Sequence, residues 1–157
     1  MKIYREKNKT EEKILRKKIA TFDFDKYTKK EIRELIKKMR TTMRRADGVG
    51  LSANQVGLNE KMFVAEVDHK FYAIFNPKII KKSDEKSEME EGCLSVPDKF
   101  GTVIRADKVW LEGQNADGKK LKIKAWGFLA RVFQHELDHL EGKLFIDKSK
   151  DIYSTKK

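Results

Sequence analysis

The chain has 157 residues, is 39% hydrophobic and 39% charged, and carries a net charge of +11. That length suits one domain with a single buried core. No apolar stretch approaches the roughly 20 residues a membrane-spanning helix needs, and the opening MKIYREKNKTEEK lacks the apolar segment of a signal peptide. The expectation is a cytoplasmic protein with no membrane contact. The charge is uneven, because residues 1–45 hold 17 Lys/Arg against 7 Asp/Glu while the remainder is nearly balanced. Such a basic third can draw an RNA-rich particle by neutralising phosphates. A solvated helix face is the favoured reading, because no RNA-binding motif accompanies the patch.

A short helix or helical turn is expected over 10–20. Thr28 and Glu31 then form a capping-box pattern. Ile32, Leu35, Ile36, Met39 and Met43 fall on one face of a helix over 28–45. Asp47-Gly48 ends that helix and opens a glycine-containing loop, GVGLSANQVG (48–57). KMFVAEV (61–67) and KFYAIFNP (70–77) read as strands around a hairpin turn at Asp68-His69. Residues 78–82 run into a charged loop, KSDEKSEMEE. TVIRADKVWLEG (102–113) and KKLKIKAW (119–126) flank a second turn, and in the latter Leu121, Ile123 and Ala125 alternate with lysines. A helix from about Gly127 to Glu141 is stopped by Gly142. Helix first, antiparallel strands between and helix last make one α+β domain.

The single cysteine, Cys93, has no partner for an internal disulfide. That fits a reducing cytosol and leaves a thiol that is either a small buried hydrophobe or a ligand. Two of the three histidines lie in His135-Glu136-Leu137-Asp138-His139. At i and i+4 on a helix their imidazoles share a face, with β-carbons about 5–6 Å apart, close enough to hold one cation. Glu136 is placed to reach a water on that cation. A catalytic site normally has three protein ligands and one open position. The long metalloprotease pattern would put the third ligand at position 145, which is Phe145. Glu141, Asp147 and Asp151 are weak downstream carboxylate candidates, and Cys93 is the better one.

Three blocks, GVGLSANQ (48–55), EGCLS (91–95) and QHELDH (134–139), stand in order at compatible spacing. Together they resemble the three signature motifs of peptide deformylases. The resemblance covers about residues 45–147 of a single catalytic domain (1–157). A variable basic segment (1–27) and a short polar tail (148–157) flank that region. It implies antiparallel sheets packed around a central C-terminal helix that carries the HExxH motif, with an N-terminal helix. It also implies removal of the N-formyl group from the initiator methionine of nascent polypeptides, with release of formate.

By that similarity Cys93, His135 and His139 bind one divalent metal ion. This is Fe²⁺ in the cell, with Zn²⁺, Ni²⁺ or Co²⁺ as substitutes. Glu136 is the general base and acid for a hydroxide that attacks the formyl carbonyl, while the Gln55 amide and the Leu94 N–H stabilise the oxyanion. Gly48 and Gly50 let an extended peptide approach the backbone, with Val49, Met89, Phe128 and Val132 walling a methionine pocket. Gln134 supports the ligands, and Arg105 pairs with Asp47 to brace the glycine loop. Ser52 and Asn54 depart from the commonest alanine-rich form of the first motif and carry no chemical role. Only 18 residues follow His139, too few for the long C-terminal helix with which many members dock on the ribosome. The basic residues 1–45 could substitute in transient ribosome association, a hypothesis beside the favoured solvated face, and a monomer is expected. The rival classes are an endopeptidase with a carboxylate ligand, a basic RNA-binding protein with a relict site, and an amidase for another small formyl compound.

Overall fold

A computed structural model describes residues 1–155. Helix α1 (Lys9–Leu15) is capped by Asn8, whose side chain accepts from Thr10 and Glu11 N–H. Helix α2 (Lys29–Arg45) starts at Thr28 with both halves of the capping box formed. Its stripe of Ile32, Met39 and Met43 is buried, and its other side is a basic face turned to solvent.

Eight strands are found among the described residues: β1 (Gly50–Ser52), β2 (Met62–Val67), β3 (Lys70–Lys82), β4 (Lys86–Cys93), β5 (Val96–Ala106), β6 (Lys108–Gln114), β7 (Lys120–Trp126) and β8 (Tyr153–Ser154). They form two antiparallel sheets, β1-β2-β3-β6-β7 and β4-β5-β8. Helix α3 (Gly127–Leu140) leaves β7 with no intervening loop. Gly127 makes that junction at φ +64°, where a side chain would be strained.

Two expectations over the middle of the chain are corrected. The charged run 82–91 is not a loop: Lys86–Cys93 is a strand paired with β5 along almost its whole length. It is a ribbon strand exposed on most positions, with Glu91 buried, so no apolar alternation announces it. The run 102–113 is not one strand either. It breaks at Asp107, whose N–H donates to Glu85 O and whose carbonyl accepts from Gly127 N–H, and there the chain changes sheets. The Asp68-His69 hairpin turn is as expected, with both residues at positive φ.

The main core lies between α2, the inner face of the five-stranded sheet and the buried side of α3, including Phe63, Phe75, Phe133 and Leu140. A second, smaller core joins Val96 and Val103 of β5 to Leu144 and Phe145. Helix α3 sits centrally and touches both sheets. The N-terminal residues run as a strap across the loops beside it. Tyr4 N–H donates to Gln55 O at 2.7 Å and Glu6 N–H to Ser95 O at 2.9 Å. The chain before residue 28 is therefore packed against two of the three motif blocks, more than its variable composition implied. No helix among the described residues is long and apolar enough to cross a membrane.

Candidate metal centre and active site

Helix α3 presents His135 and His139 on one face, as their spacing requires, and the β4–β5 hairpin brings Cys93 to them. The ligand atoms of the three residues lie within 4.8 Å of one another. Cys93 Sγ is 3.2 Å from His139 Nε2, which is 3.2 Å from His135 Nε2. One thiol and two imidazole nitrogens at this spacing suit a tetrahedral divalent ion with one open position. The downstream carboxylates are engaged elsewhere. Glu141 faces Lys18, Asp147 binds Arg16, and Asp151 accepts from Thr102 N–H. Phe145 is a core residue and lies roughly parallel to the His135 ring.

The electrostatic surroundings fit a cation. His135 Nδ1 meets Glu91 Oε1 at 2.8 Å, which leaves Nε2 facing the other two ligands. Burial opposes a charge on His135, but Cys93 and Glu91 outweigh it and lift the pKa to about 10. Burial pushes His139 well below the usual range, reinforced by the charge on His135. A metal ion held by these imidazoles would take the place of the His135 proton, because a ligating histidine is neutral. Glu91 is also buried, which alone would raise its pKa. Hydrogen bonds from His135 and Arg105 instead hold it far below the ordinary carboxylate value.

Arg105 grips Glu91 through Nε at 2.6 Å and Nη2 at 2.9 Å, and reaches Asp138 through Nη1 at 2.9 Å. Arg131 adds a 2.6 Å contact to the same carboxylate. The expected pairing of Arg105 with Asp47 is therefore corrected. Arg105 is buried in a network on the far side of the ligands. Asp47 is exposed at the lip of the cleft, and its side chain has no ionic or hydrogen-bonded partner among the described residues. Gln134 also differs from expectation. It exchanges hydrogen bonds with both backbone groups of Ala106 and with Ala130 O, clamping α3 to the end of β5 rather than touching a ligand.

Glu136 is 3% exposed. Burial raises its pKa, with His135 and Ser52 pulling the other way, which suits a group that must accept and return a proton. Gln55 is fixed at both ends. Its Oε1 accepts from Ser52 N–H at 2.9 Å, while its Nε2 donates to Ser95 Oγ at 3.0 Å and lies 3.6 Å from Cys93 Sγ. A cleft of about 410 Å³ opens beside these groups. Gly48, Val49, Gly50, Met89, Leu94, Phe128 and Val132 line it, and so does Phe100, which sequence reasoning missed. Val49, Met89 and Phe128 are each more than 40% exposed, an apolar surface of the kind that receives a ligand. A larger groove of about 760 Å³ lies over the basic N-terminal segment and contains none of the three ligands.

Glu91, Arg131 and Ser52 were also missed as site residues. Glu91 and Ser52 stood inside the motif blocks, so a signal existed for both. Arg131 had none beyond its place one turn before His135.

A family model of polypeptide deformylases matches residues 5–154. A peptide deformylase of Halothermothrix orenii is 51% identical over 123 residues, covering 77% of this chain and 79% of its own. The crystal structure of peptide deformylase from Thermotoga maritima superposes with a TM-score of 0.86 at 34% identity, covering 96% of this chain and 97% of that one. A probable peptide deformylase from Synechococcus phage S-SSM7 does so with a TM-score of 0.84 at 43% identity, covering 94% and 99%. With its fold, its cysteine–histidine cluster and these relatives in agreement, the chain belongs to the peptide deformylase family of enzymes.

Proposed function

We propose that this chain hydrolyses the N-formyl group of the initiator methionine on nascent polypeptides, releasing formate, with one divalent cation held by Cys93, His135 and His139. The observation that carries this reading is the three-ligand cluster beside a buried carboxylate and an apolar cleft. When bound, the cation supplies Lewis acidity, acidifying water and polarising the substrate carbonyl. Glu136 takes the proton of the attacking water. It delivers that proton to the amine as the carbon–nitrogen bond breaks, so water is consumed and formate and a free amino terminus are produced.

Negative charge develops on the formyl oxygen as water adds. Gln55 Nε2 and the Leu94 N–H are the donors for it, neutral groups that do not compete for the cation. The Ser52 N–H bond fixes the Gln55 carboxamide, so this donor is oriented before substrate arrives. Strand β1 is an edge strand of its sheet among the described residues. A peptide can add along it past Gly48 and Gly50 as a further strand. Val49, Met89, Phe128 and Val132 then receive the methionine side chain.

Fe²⁺ is the proposed cellular metal, with Zn²⁺, Ni²⁺ and Co²⁺ able to replace it, since a mixed thiolate and imidazole set accepts all four. The enzyme would work in the cytoplasm as a monomer. Its exposed α2 cations would support transient contact with the ribosome, and this contact is expected to weaken with salt. Anaerobic assay of formyl-Met against acetyl-Met peptides, with Glu136→Ala alongside, tests the reading. Formate release from the formyl peptide, lost by on the order of 10² or more in the variant, is expected. No formate from metal-loaded protein would defeat it. Metal analysis after anaerobic purification that finds zinc alone, with full activity, would overturn iron as the native ion.

A further inference from the structure

Resting on the proposed acid/base role of Glu136, we infer that Ser52 is a positioning residue that tethers one oxygen of that carboxylate and leaves the other to carry the proton. Ser52 Oγ donates to Glu136 Oε2 at 2.7 Å. Its contact with Glu136 O is longer, at 3.0 Å, and a hydroxyl has one proton to give. The carboxylate is the stronger acceptor, so it takes that proton. Ser52 is 0% exposed and Glu136 is 3% exposed, so bulk water does not compete for the bond.

The other oxygen, Oε1, is placed differently. It lies against Gly50, where a β-carbon would come within 2.5 Å of it, and Gly50 lines the cleft beside the ligands. The two oxygens are therefore unequal: Oε2 is held by β1, while Oε1 stands where the backbone has been kept bare. Ser52 also donates its N–H to Gln55 Oε1. One residue thus sets the direction of the proton carrier through its side chain and of the oxyanion donor through its main chain. An alanine at 52 would keep the second function and lose the first. It would leave Oε2 buried without this donor, free to rotate toward other partners.

The test compares Ser52→Ala and Ser52→Thr with the parent, all metal-loaded and checked for metal content and Tm. For Ser52→Ala the expected result is a kcat about 10- to 100-fold lower, the scale of a small misplacement of a catalytic group. KM and metal content should stay near parental values. Threonine keeps the hydroxyl on an extended backbone and should recover most of kcat. Independently of activity, crystals of Ser52→Ala should show the Glu136 carboxylate rotated or split between orientations. A parental kcat in Ser52→Ala, or a carboxylate that keeps its single orientation there, overturns the inference. So does a Ser52→Thr protein with parental metal content and Tm that is as slow as the alanine variant. If the parent itself releases no formate, the proposed function falls. The Glu136 orientation in the crystals still decides the tether.

Discussion

Glu91 Oε1 lies 2.8 Å from His135 Nδ1, so a buried carboxylate stands directly behind an imidazole of the candidate metal centre. Such a partner fixes the ring and its tautomer and makes the other nitrogen a better ligand. Two guanidiniums on the same carboxylate tie β4, β5 and α3 together at this point. Glu91→Gln is expected to weaken metal binding by about 10- to 100-fold, measured by competition with a chromogenic chelator. It should also lower stability, since Arg105 and Arg131 would lose a shared buried counter-charge. Unchanged affinity would show that His135 needs no such support.

Cys93→Ala is expected to abolish both stoichiometric metal binding and formate release, whereas Asp147→Asn should keep both. Elemental analysis of the two purified proteins checks this. Metal retained at full occupancy in Cys93→Ala would return the third ligand to a carboxylate and revive the endopeptidase alternative.

Gly50→Ala probes the space beside the Glu136 carboxylate. Its β-carbon would fall 2.5 Å from Glu136 Oε1 and 2.9 Å from Cδ. The obstacle is the end of a side chain, so the fold should survive while the carboxylate moves. Activity is expected to fall on the order of 10², the share general acid–base catalysis commonly provides, with Tm close to the parent. A fully active Gly50→Ala enzyme would contradict the geometry.

Glu66 gives a pH-dependent expectation remote from the ligands. Arg44 and then Arg40 hold its pKa down to about 2, and they join α2 to β2. A depressed carboxylate contributes stability above its ordinary value of 4.5, and that contribution is lost as pH falls from 4.5 to about 2. Glu66→Gln should therefore flatten this part of the acid limb of the stability curve and leave the alkaline side alone. Urea midpoints across that range test it, and parallel curves for parent and variant would refute it.

The sequence was most legible where local chemistry sets local structure. The Thr28–Glu31 box and the Ile32–Met39–Met43 stripe specify α2 without help from distant residues. The HExxH spacing likewise specifies a shared helix face. Legibility failed where the outcome depends on which sheet a strand joins. Nothing local marks Asp107 as the place where the chain crosses between sheets, and Lys86–Cys93 has too few buried positions to show a period. It failed again for buried charge, because Arg105 could have met any of several carboxylates, and only the packing of β4 and α3 around β5 selects Glu91 and Asp138. Ser52 shows the same limit on a smaller scale. Its departure from alanine was visible, but its partner lies 84 positions away.

The strap formed by Tyr4 and Glu6 bears on the order in which the molecule can be completed. During synthesis these residues are made before Gln55 and Ser95, so they must wait for later parts of the chain before they can dock. Two backbone bonds at this sequence separation form only after a long loop has closed, at an entropic cost that local contacts do not carry. The strap should be among the last pieces to dock and among the first to detach under mild denaturant. Amide exchange at Tyr4 and Glu6 should then outpace exchange in α3, and by opening early the strap would loosen the Gln55 and Ser95 loops before the domain unfolds.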